Sequence, residues 1–222
     1  ITAGGPLTFC SGGSVTLTAS GAVNYSWNNG VTNGVAFSPA STATYTATGT
    51  DANGCINADQ VVVTVAGLPN VSAGADITVC QGSTITLSGT GASSYTWNNG
   101  VTNAVAFTPA VGTTTYTVTG TDGGGCINTD QVIVTVNPLP SVNAGPDVSV
   151  CIGASATLSG SGAITYTWNN GVSNGVAFTP AATTTYTVTG TNANGCTNTD
   201  QVLVTVNPLP NVNAGTDQTI CV

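Results

Sequence analysis

Seven cysteines and eight aspartates are the side chains of this 222-residue chain that could form bridges, bind a metal or carry a proton. Lys, Arg, His, Glu and Met are all absent. General acid–base catalysis usually relies on His, Glu, Lys or a tuned carboxylate, and a nucleophilic Ser or Thr needs a neighbouring base. Since only isolated aspartates remain for such work, the composition predicts no catalytic residue, no cofactor and no enzyme activity.

The charge balance restricts the partners as well. With no cationic side chain and a formal net charge of -8, the chain cannot neutralise the phosphates of nucleic acids or of anionic membrane surfaces. Its longest apolar runs are about five residues, too short to span a bilayer. No signal peptide or sorting tail is recognisable. We therefore expect no nucleic-acid partner and no membrane insertion.

The cysteines recur at a fixed period. Four of them are spaced 70, 71 and 70 residues apart, and the other three follow at a similar period; the two sets are Cys10, Cys80, Cys151, Cys221 and Cys55, Cys126, Cys196. A zinc site would require Cys-x-x-Cys pairs or His partners, and the sequence has neither. Cysteines at repeated positions in small, Thr-rich β modules are typical of disulfide-bonded extracellular proteins. We predict disulfides and an extracellular location.

The residues around the cysteines repeat too. The segment from Cys10 to Cys55 returns almost unchanged from Cys80 and again from Cys151, which marks an array of equivalent modules. The copies are separated at residues 66–69 (Ala-Gly-Leu-Pro), 137–140 and 207–210 (both Asn-Pro-Leu-Pro), and a Pro-x-Pro link is extended and stiff. We predict repeats at residues 1–67, 68–138 and 139–208, the start of a truncated fourth repeat at residues 209–222, and a semi-rigid rod in which each repeat has the neighbouring repeats of the same chain as its partners.

Alternation of apolar residues with threonine predicts strands throughout each repeat. In the first repeat, the predicted strands are residues 15–18, 25–27, 35–37, 44–50 and 60–65. Residues 28–30 (Asn-Asn-Gly) predict a tight turn, because Asn and Gly tolerate positive φ. Six or seven short strands in about 70 residues are the number found in a small β-sandwich.

The repeats resemble immunoglobulin-like and PKD-like sandwiches in their strand succession, in the Trp on the third strand and in the corner at residues 180–186 (Pro-Ala-Ala-Thr-Thr-Thr-Tyr). More narrowly, residues 143–147 (Asn-Ala-Gly-Pro-Asp), residues 183–196 and the Asn-Pro-Leu-Pro links are similar to the tandem Ig-like repeats of giant surface adhesins of gliding Bacteroidota. This resemblance covers the entire chain. It implies an all-β fold, a tandem array of small immunoglobulin-like β-sandwich modules in a rod.

The resemblance also implies a function. Repeats of this family form a structural stalk or filament at the cell surface, which serves surface attachment and gliding motility, and they are exported by the type IX secretion system. They carry no catalytic residues, so none is carried over. Surface polysaccharide or the gliding machinery would be contacted through other parts of the parent chain.

The cysteine positions depart from the antibody pattern. There the bridge joins the middles of strands B and F, and the corner Tyr lies two residues before the second Cys. Here Tyr45 precedes Cys55 by ten residues, and Cys10 precedes Leu17 by seven. In that topology the two cysteines of a repeat would lie on the order of 25 Å apart at ~3.3 Å per residue, against the ~5.5 Å Cα spacing of a disulfide.

Two pairing schemes remain open. In the first, which we favour, an Ig-like topology with modules stacked head to tail gives the bridges Cys10–Cys126 and Cys80–Cys196. The cysteines that then pair outside this segment are Cys55, Cys151 and Cys221. In the second, a simpler meander closes the bridges within modules, as Cys10–Cys55, Cys80–Cys126 and Cys151–Cys196. The sequence alone does not separate them.

The tryptophans have two interpretations. Each lies two residues after a Tyr on a central strand, a position that favours core packing. The predicted core residues are Trp27, Trp97 and Trp168 with Tyr45, Tyr116 and Tyr186. The alternative is that the tryptophans are sugar-stacking platforms, which would make the chain a polysaccharide-binding array.

The aspartates also have two interpretations. Asp59 and Asp76 could share a Ca²⁺ ion near a module junction, since calcium takes six to eight oxygen ligands. The interpretation we favour is that Asp and Asn accept hydrogen bonds from backbone amides in turns. The replacement of Asp51 and Asp122 by Asn192 in the third repeat fits the turn interpretation.

Overall fold

The computed structural model of the chain describes residues 2–4 and 7–220. Within these residues the regular structure is β-strand apart from one short 3-10 turn at Asn169–Gly171. The predicted all-β class is therefore confirmed. In the described ranges, no helix is long and apolar enough to cross a membrane.

The first repeat forms two sheets. Its strands are β1 (Thr2–Gly4), β2 (Thr8–Cys10), β3 (Val15–Thr18), β4 (Asn24–Trp27), β5 (Ala36–Phe37), β6 (Ala43–Thr50) and β7 (Ile56–Ala66). One sheet has the order β1-β3-β5 and the other the order β2-β7-β6-β4. Strand β2 runs parallel to β7, whereas the other pairs are antiparallel.

The second and third repeats follow the same plan. The second contains β8 (Ile77–Cys80), β9 (Ile85–Thr86), β10 (Ser94–Trp97), β11 (Ala106–Phe107), β12 (Gly112–Thr121) and β13 (Ile127–Asn137). The third contains β14 (Val148–Cys151), β15 (Ala156–Thr157), β16 (Thr165–Trp168), β17 (Ala177–Phe178), β18 (Thr184–Thr191) and β19 (Thr197–Asn207). The sheet orders are β10-β12-β13-β8 with β11-β9, and β14-β19-β18-β16 with β15-β17.

Alternating burial along the strands creates the core between two sheets. In β3 the side chains of Val15 and Leu17 are buried, and they pack against Tyr45 of β6 and Val63 of β7. The third repeat has an equivalent cluster that includes Leu158, Trp168, Tyr186 and Val204. Each module has two sheets, and β2 and β14 pair in parallel with the last strands β7 and β19. This arrangement is that of an immunoglobulin-like sandwich.

The turn after the tryptophan strand has the predicted backbone. Asn29, Asn99 and Asn170 have φ values of 53° to 54°, and the glycine after each also has positive φ. The extra residue of the second repeat lies in the corner before Tyr116, where Gly112 has a φ of 118°. The insertion precedes Tyr116, and Tyr116 is still buried, as are Tyr45 and Tyr186.

The chain divides into two compact units. The first consists of Ile1–Ile77, Thr84–Thr108 and Thr113–Val134, and it includes all strands of the first repeat. The second consists of Thr78–Ser83, Pro109–Gly112 and Thr135–Val222, and it includes all strands of the third repeat. The boundaries at residues 67, 138 and 208 remain a prediction from the sequence.

Candidate functional site

Two disulfides connect cysteines of successive repeats. Cys10 is bonded to Cys126 with a Cα–Cα distance of 5.5 Å. Cys80 is bonded to Cys196 with a Cα–Cα distance of 5.6 Å. Each bridge lies within one of the two compact units. These are the bridges of the first scheme, and the bridges within modules are not formed.

The first cysteine of each bridge ends the strand that pairs with the last strand of its repeat. Cys10 is opposite Ala66 at the end of β2, and the N–H of Ser11 donates to the carbonyl of Ala66 at 2.8 Å. Parallel pairing thus places Cys10 where the chain leaves the first repeat. From this position Cys10 forms its disulfide with Cys126 of the second repeat.

The second cysteine of each bridge is held by an Asp or Asn turn. Asp122 Oδ1 accepts hydrogen bonds from the N–H groups of Gly124 (2.8 Å) and Cys126 (2.9 Å). Gly125 supplies the positive φ of 82° that this turn requires. Asn192 makes the same pair of bonds to Asn194 and Cys196 in the third repeat. An amide oxygen accepts these bonds as a carboxylate does, which explains the Asn at this position.

Two further cysteines are free thiols. Cys55 and Cys151 are both exposed and unbonded, whereas Cys126 and Cys196 are each only 1% exposed. The turn around Cys55 nevertheless matches the others, since its N–H donates to Asp51 Oδ1 at 2.9 Å. Cys221 lies outside the described residues.

The aromatic residues predicted for the core are mostly buried. Trp97 and Trp168 are 9% and 8% exposed, and the corner tyrosines are 5–6% exposed. Trp27 differs from this prediction, because it lies at the edge of its cluster and is only partly buried. Each corner Tyr packs its ring against a Phe, and the centroids of Phe107 and Tyr116 are 5.5 Å apart.

Sequence reasoning missed the residue that satisfies the tryptophan N–H. Asn103 Oδ1 accepts hydrogen bonds from Trp97 Nε1 at 2.9 Å and from the N–H of Gly89 at 2.8 Å. Asn33 and Asn174 do the same for Trp27 and Trp168. The signal was present, since this Asn lies six residues after the Trp in all three repeats. Its role depends on loop conformation, which spacing does not reveal.

We expect Asn103→Ala to lower the free energy of unfolding by about 1–3 kcal/mol, because two part-buried donors lose their acceptor. Hydrogen exchange of peptides from the second repeat, measured by mass spectrometry, would report the change. Asn103→Asp is the matched control, since it retains an acceptor oxygen and should cost less. Equal losses for the two variants would contradict this role.

Two aspartates accept hydrogen bonds from the linker segments that precede the second and third modules. Asp130 Oδ2 accepts the N–H of Ala73 at 2.8 Å, and Asp200 Oδ2 accepts the N–H of Ala144 at 2.8 Å. The bond from Ala73, followed by one from the N–H of Gln131, lowers the pKa of Asp130 below its usual value. The bonds from Ala144 and Gln201 lower the pKa of Asp200 in the same way.

The lowered pKa values predict a loss of stability in acid. A carboxyl group whose pKa is lower in the folded state stabilises the fold fully above its unfolded pKa of about 3.9, and this contribution disappears as the pH falls through the folded pKa. The urea concentration at which half of the chain is unfolded should therefore decrease as the pH is lowered below about 4. In the double variant Asp130→Asn, Asp200→Asn, the urea midpoint should depend less strongly on pH. The control is Asp217→Asn, in the exposed C-terminal segment, and its urea midpoint should change with pH as that of the unmodified chain does. If the urea midpoints of all three proteins changed equally with pH, the stabilising role of the Asp130 and Asp200 carboxylates would be contradicted.

Three further aspartates also accept hydrogen bonds from the backbone. Asp76 Oδ1 accepts the N–H of Ile133 at 2.8 Å, and Asp147 Oδ1 accepts the N–H of Leu203 at 2.9 Å. Asp59 Oδ1 accepts the N–H of Gln60. These bonds are made to backbone amides, as the turn interpretation predicts, but Asp76 and Asp147 bind amides of the last strand of the repeat and not of a local turn. Across the described part of the chain, no group of three or more Cys, Asp, Glu or His residues is arranged to hold a metal ion.

No family model matches the chain, and no curated protein matches it. Among solved structures, it is similar to a three-domain immunoglobulin fragment of titin, an E-to-A variant, with 12% identity and a TM-score of 0.40, covering 90% of this chain and 95% of that one. It is also similar to immunoglobulin domains 1–4 of Sidekick-1, with 14% identity and a TM-score of 0.34, covering 90% of this chain and 73% of that one. A third similar structure contains the eight N-terminal Ig domains of Down Syndrome Cell Adhesion Molecule, with 15% identity and a TM-score of 0.32, covering 90% of this chain and 34% of that one. The strand order described above, with β2 and β14 parallel to the last strands of their repeats, makes this chain a tandem array of immunoglobulin-like modules.

Proposed function

We propose that this chain is a structural segment of an extracellular surface adhesin, a stalk that holds an adhesive end away from the cell. The observation that carries the proposal is the covalent connection of repeats by Cys10–Cys126 and Cys80–Cys196. A bridge between repeats limits how far the residues that it encloses can extend under tension, even when the modules unfold. A segment that only positions ligand-binding modules has no need of it.

Composition supports the same role. The chain has no cationic side chain and therefore no tryptic cleavage site, a property that suits a protease-rich exterior. Disulfides form and persist in oxidising environments outside the cytosol. The resemblance to repeats of gliding Bacteroidota adhesins adds the finer proposal that the parent protein is exported by type IX secretion and serves surface attachment and gliding.

A polysaccharide-binding array is the second candidate, and the observation that would favour it is an exposed aromatic platform. Trp27 is the tryptophan closest to that description, since it is only partly buried. Its Nε1 is nevertheless bonded to Asn33, as it is in the two buried copies. This shared bond favours a packing role.

The test is a replacement of the whole segment in the parent protein. A stalk should tolerate exchange for an equally long run of unrelated immunoglobulin-like modules, with attachment of the cells retained. The isolated 222-residue chain should bind no glycan on an array of surface polysaccharides. Lost attachment after the exchange, together with glycan binding by the isolated chain, would establish the binding array instead.

A further inference from the structure

Asparagine precedes glycine at seven places in the chain. Asn is one of the thermolabile residues, and a following glycine, which has no Cβ, gives the asparagine side chain its least hindered approach to the backbone. The seven dipeptides occupy three positions of the repeat. The first position holds Asn29, Asn99 and Asn170, the second Asn33 and Asn174, and the third Asn53 and Asn194. One dipeptide thus occurs in three kinds of turn.

The reaction open to this dipeptide is loss of the side-chain amide through a cyclic imide. The glycine nitrogen attacks Cγ of the asparagine, so that a new Cγ–N bond forms and the Cγ–Nδ2 bond breaks. The amide leaves as ammonia, together with the proton of the glycine N–H. One water molecule from the solvent then opens the ring at either carbonyl carbon and gives aspartate or isoaspartate. The reaction requires a glycine nitrogen that is free to reach Cγ.

The turn after the tryptophan strand of the first repeat leaves the glycine nitrogen unbonded. The N–H of Val31 donates to the carbonyl of Asn28 at 3.4 Å and closes the turn around Asn29 and Gly30. Both of the enclosed residues are exposed. Over the described ranges of the chain, the N–H of Gly30 donates no hydrogen bond. This nitrogen is therefore free to approach the side chain of Asn29.

The second repeat has the same turn, and the third repeat differs in one respect. The turn around Asn99 and Gly100 is closed by a bond of 3.3 Å, both residues are exposed, and the N–H of Gly100 has no acceptor among the described residues. Gly171 belongs to the 3-10 turn at Asn169–Gly171, in which N–H groups bond to carbonyls three residues back. Asn29 and Asn99 are therefore the copies whose glycine nitrogen is free.

The asparagine side chains at these two sites are weakly held. Asn29 Nδ2 donates to the carbonyl of Thr44, and Asn99 Nδ2 donates to the carbonyl of Thr115, each at 3.4 Å. Ordinary hydrogen bonds from N–H to oxygen are about 2.7–3.2 Å long. Because such long bonds are weak, they do not prevent Cγ from turning toward the next backbone nitrogen.

The second position of the repeat fixes both reacting groups. Asn33 Oδ1 accepts the indole N–H of Trp27 at 3.0 Å. The N–H of Gly34 donates to the carbonyl of Leu17 at 2.9 Å. The third repeat has the same two bonds, at 3.0 and 2.9 Å. Ring closure here would first have to break a bond of the side chain and a bond of the backbone.

The third position fixes the backbone on both sides of the side chain. Asp51 Oδ1 accepts the N–H of Asn53 at 2.8 Å, and the carbonyl of Asp51 accepts the N–H of Gly54 at 3.2 Å. The third repeat has the same pair of bonds, at 3.0 and 3.1 Å. The glycine nitrogen is therefore occupied in this turn, although the residues are exposed.

We propose that Asn29 and Asn99 are sites of spontaneous deamidation in the folded protein, and that the fold protects the second and third positions. Each event replaces a neutral amide with a carboxylate, so the two sites together change the formal net charge from -8 to -10. The new carboxylate oxygen faces the carbonyl of Thr44 or Thr115 in place of the Nδ2 donor. This inference goes beyond the stalk function and does not depend on it.

The experiment incubates the oxidised full chain in warm, mildly alkaline buffer and follows deamidation by mass spectrometry. A protease that cleaves after aromatic residues releases residues 28–37, which contain Asn29 and Asn33, and residues 98–107, which contain Asn99. Fragmentation of each peptide locates the change, and isoaspartyl methyltransferase labels the isoaspartate. We expect Asn29 to react roughly tenfold faster than Asn33 or Asn53, because the protected glycine nitrogens must first lose a hydrogen bond.

The Ala104→Gly variant is the matched control. It creates the reactive dipeptide at Asn103, at a residue 104 whose φ of 59° suits glycine and whose N–H donates to the carbonyl of Leu87 at 2.9 Å. In the folded variant Asn103 should react far more slowly than Asn99. In the same variant, reduced and unfolded in urea, the two asparagines should react at similar rates.

Three results would overturn the proposal. The first is an equal rate at Asn29 and Asn33 in the folded chain, or at Asn99 and Asn103 in the folded Ala104→Gly variant. The second is the absence of reaction at Asn29 and Asn99 under conditions in which the unfolded chain deamidates. The third is a difference between the positions that persists in the unfolded chain, because the fold would then not be its cause.

Discussion

Replacing Trp97 with alanine should lower the free energy of unfolding by about 3–5 kcal/mol, which is large against the roughly 5–15 kcal/mol that holds a whole domain. Trp97 is only 9% exposed, so its removal leaves a cavity, and the acceptor Asn103 loses its indole partner. Hydrogen exchange of peptides from the second repeat would measure the loss locally.

Trp27→Ala serves as the matched control, because Trp27 is only partly buried and should cost less. Exchange in the first and third repeats should change little with Trp97→Ala, since distant sites act almost independently. A near-neutral effect of Trp97→Ala, coupled with lost binding of polysaccharide, would favour the binding array over the stalk.

Reduction should change the mechanical response of the chain more than any single substitution. When the oxidised chain is pulled from its ends, the two bridges, each of which spans 116 residues of sequence, restrict the extension of the residues that they enclose. We expect little stepwise lengthening. After reduction, the repeats should unfold one after another in steps of roughly 70 residues, on the order of 240 Å of contour length each.

Closing loops of this size also removes entropy from the unfolded chain, a stabilisation of roughly 3–5 kcal/mol for a single loop. The double variant Cys10→Ser, Cys80→Ser is the control, and without reductant it should behave as the reduced chain does. Steps of repeat length in the fully oxidised chain would contradict the prediction. A Cys10–Cys55 peptide in a non-reducing digest would contradict the pairing itself.

Local sequence patterns were sufficient to predict most strands. Val15–Thr18 was predicted at its observed bounds, and the Asn-Asn-Gly turns have the expected positive φ. These features depend on side chains that are neighbours in the chain. The last strand was predicted too short, as residues 60–65 rather than Ile56–Ala66, because its polar first half is stabilised by pairing with β6 and carries no apolar alternation.

Features that depend on distant contacts could not be derived in this way. The two disulfide schemes use the same cysteines, and the parallel pairing of Cys10 with Ala66 is what places that cysteine at the exit of its repeat. Asn103 was missed because only the folded loop brings it to the indole of Trp97.

The overlap of the two bridges gives the chain a built-in tolerance to cleavage. Cys80 lies between Cys10 and Cys126, and Cys196 lies beyond both. Residues 10–80, 80–126 and 126–196 are therefore three separate covalent routes between the same pair of bridges. One peptide bond can be cut in any of them, or one in each of two, and the ends of the chain remain joined. A surface fibre made of such segments could be nicked repeatedly without losing what it carries.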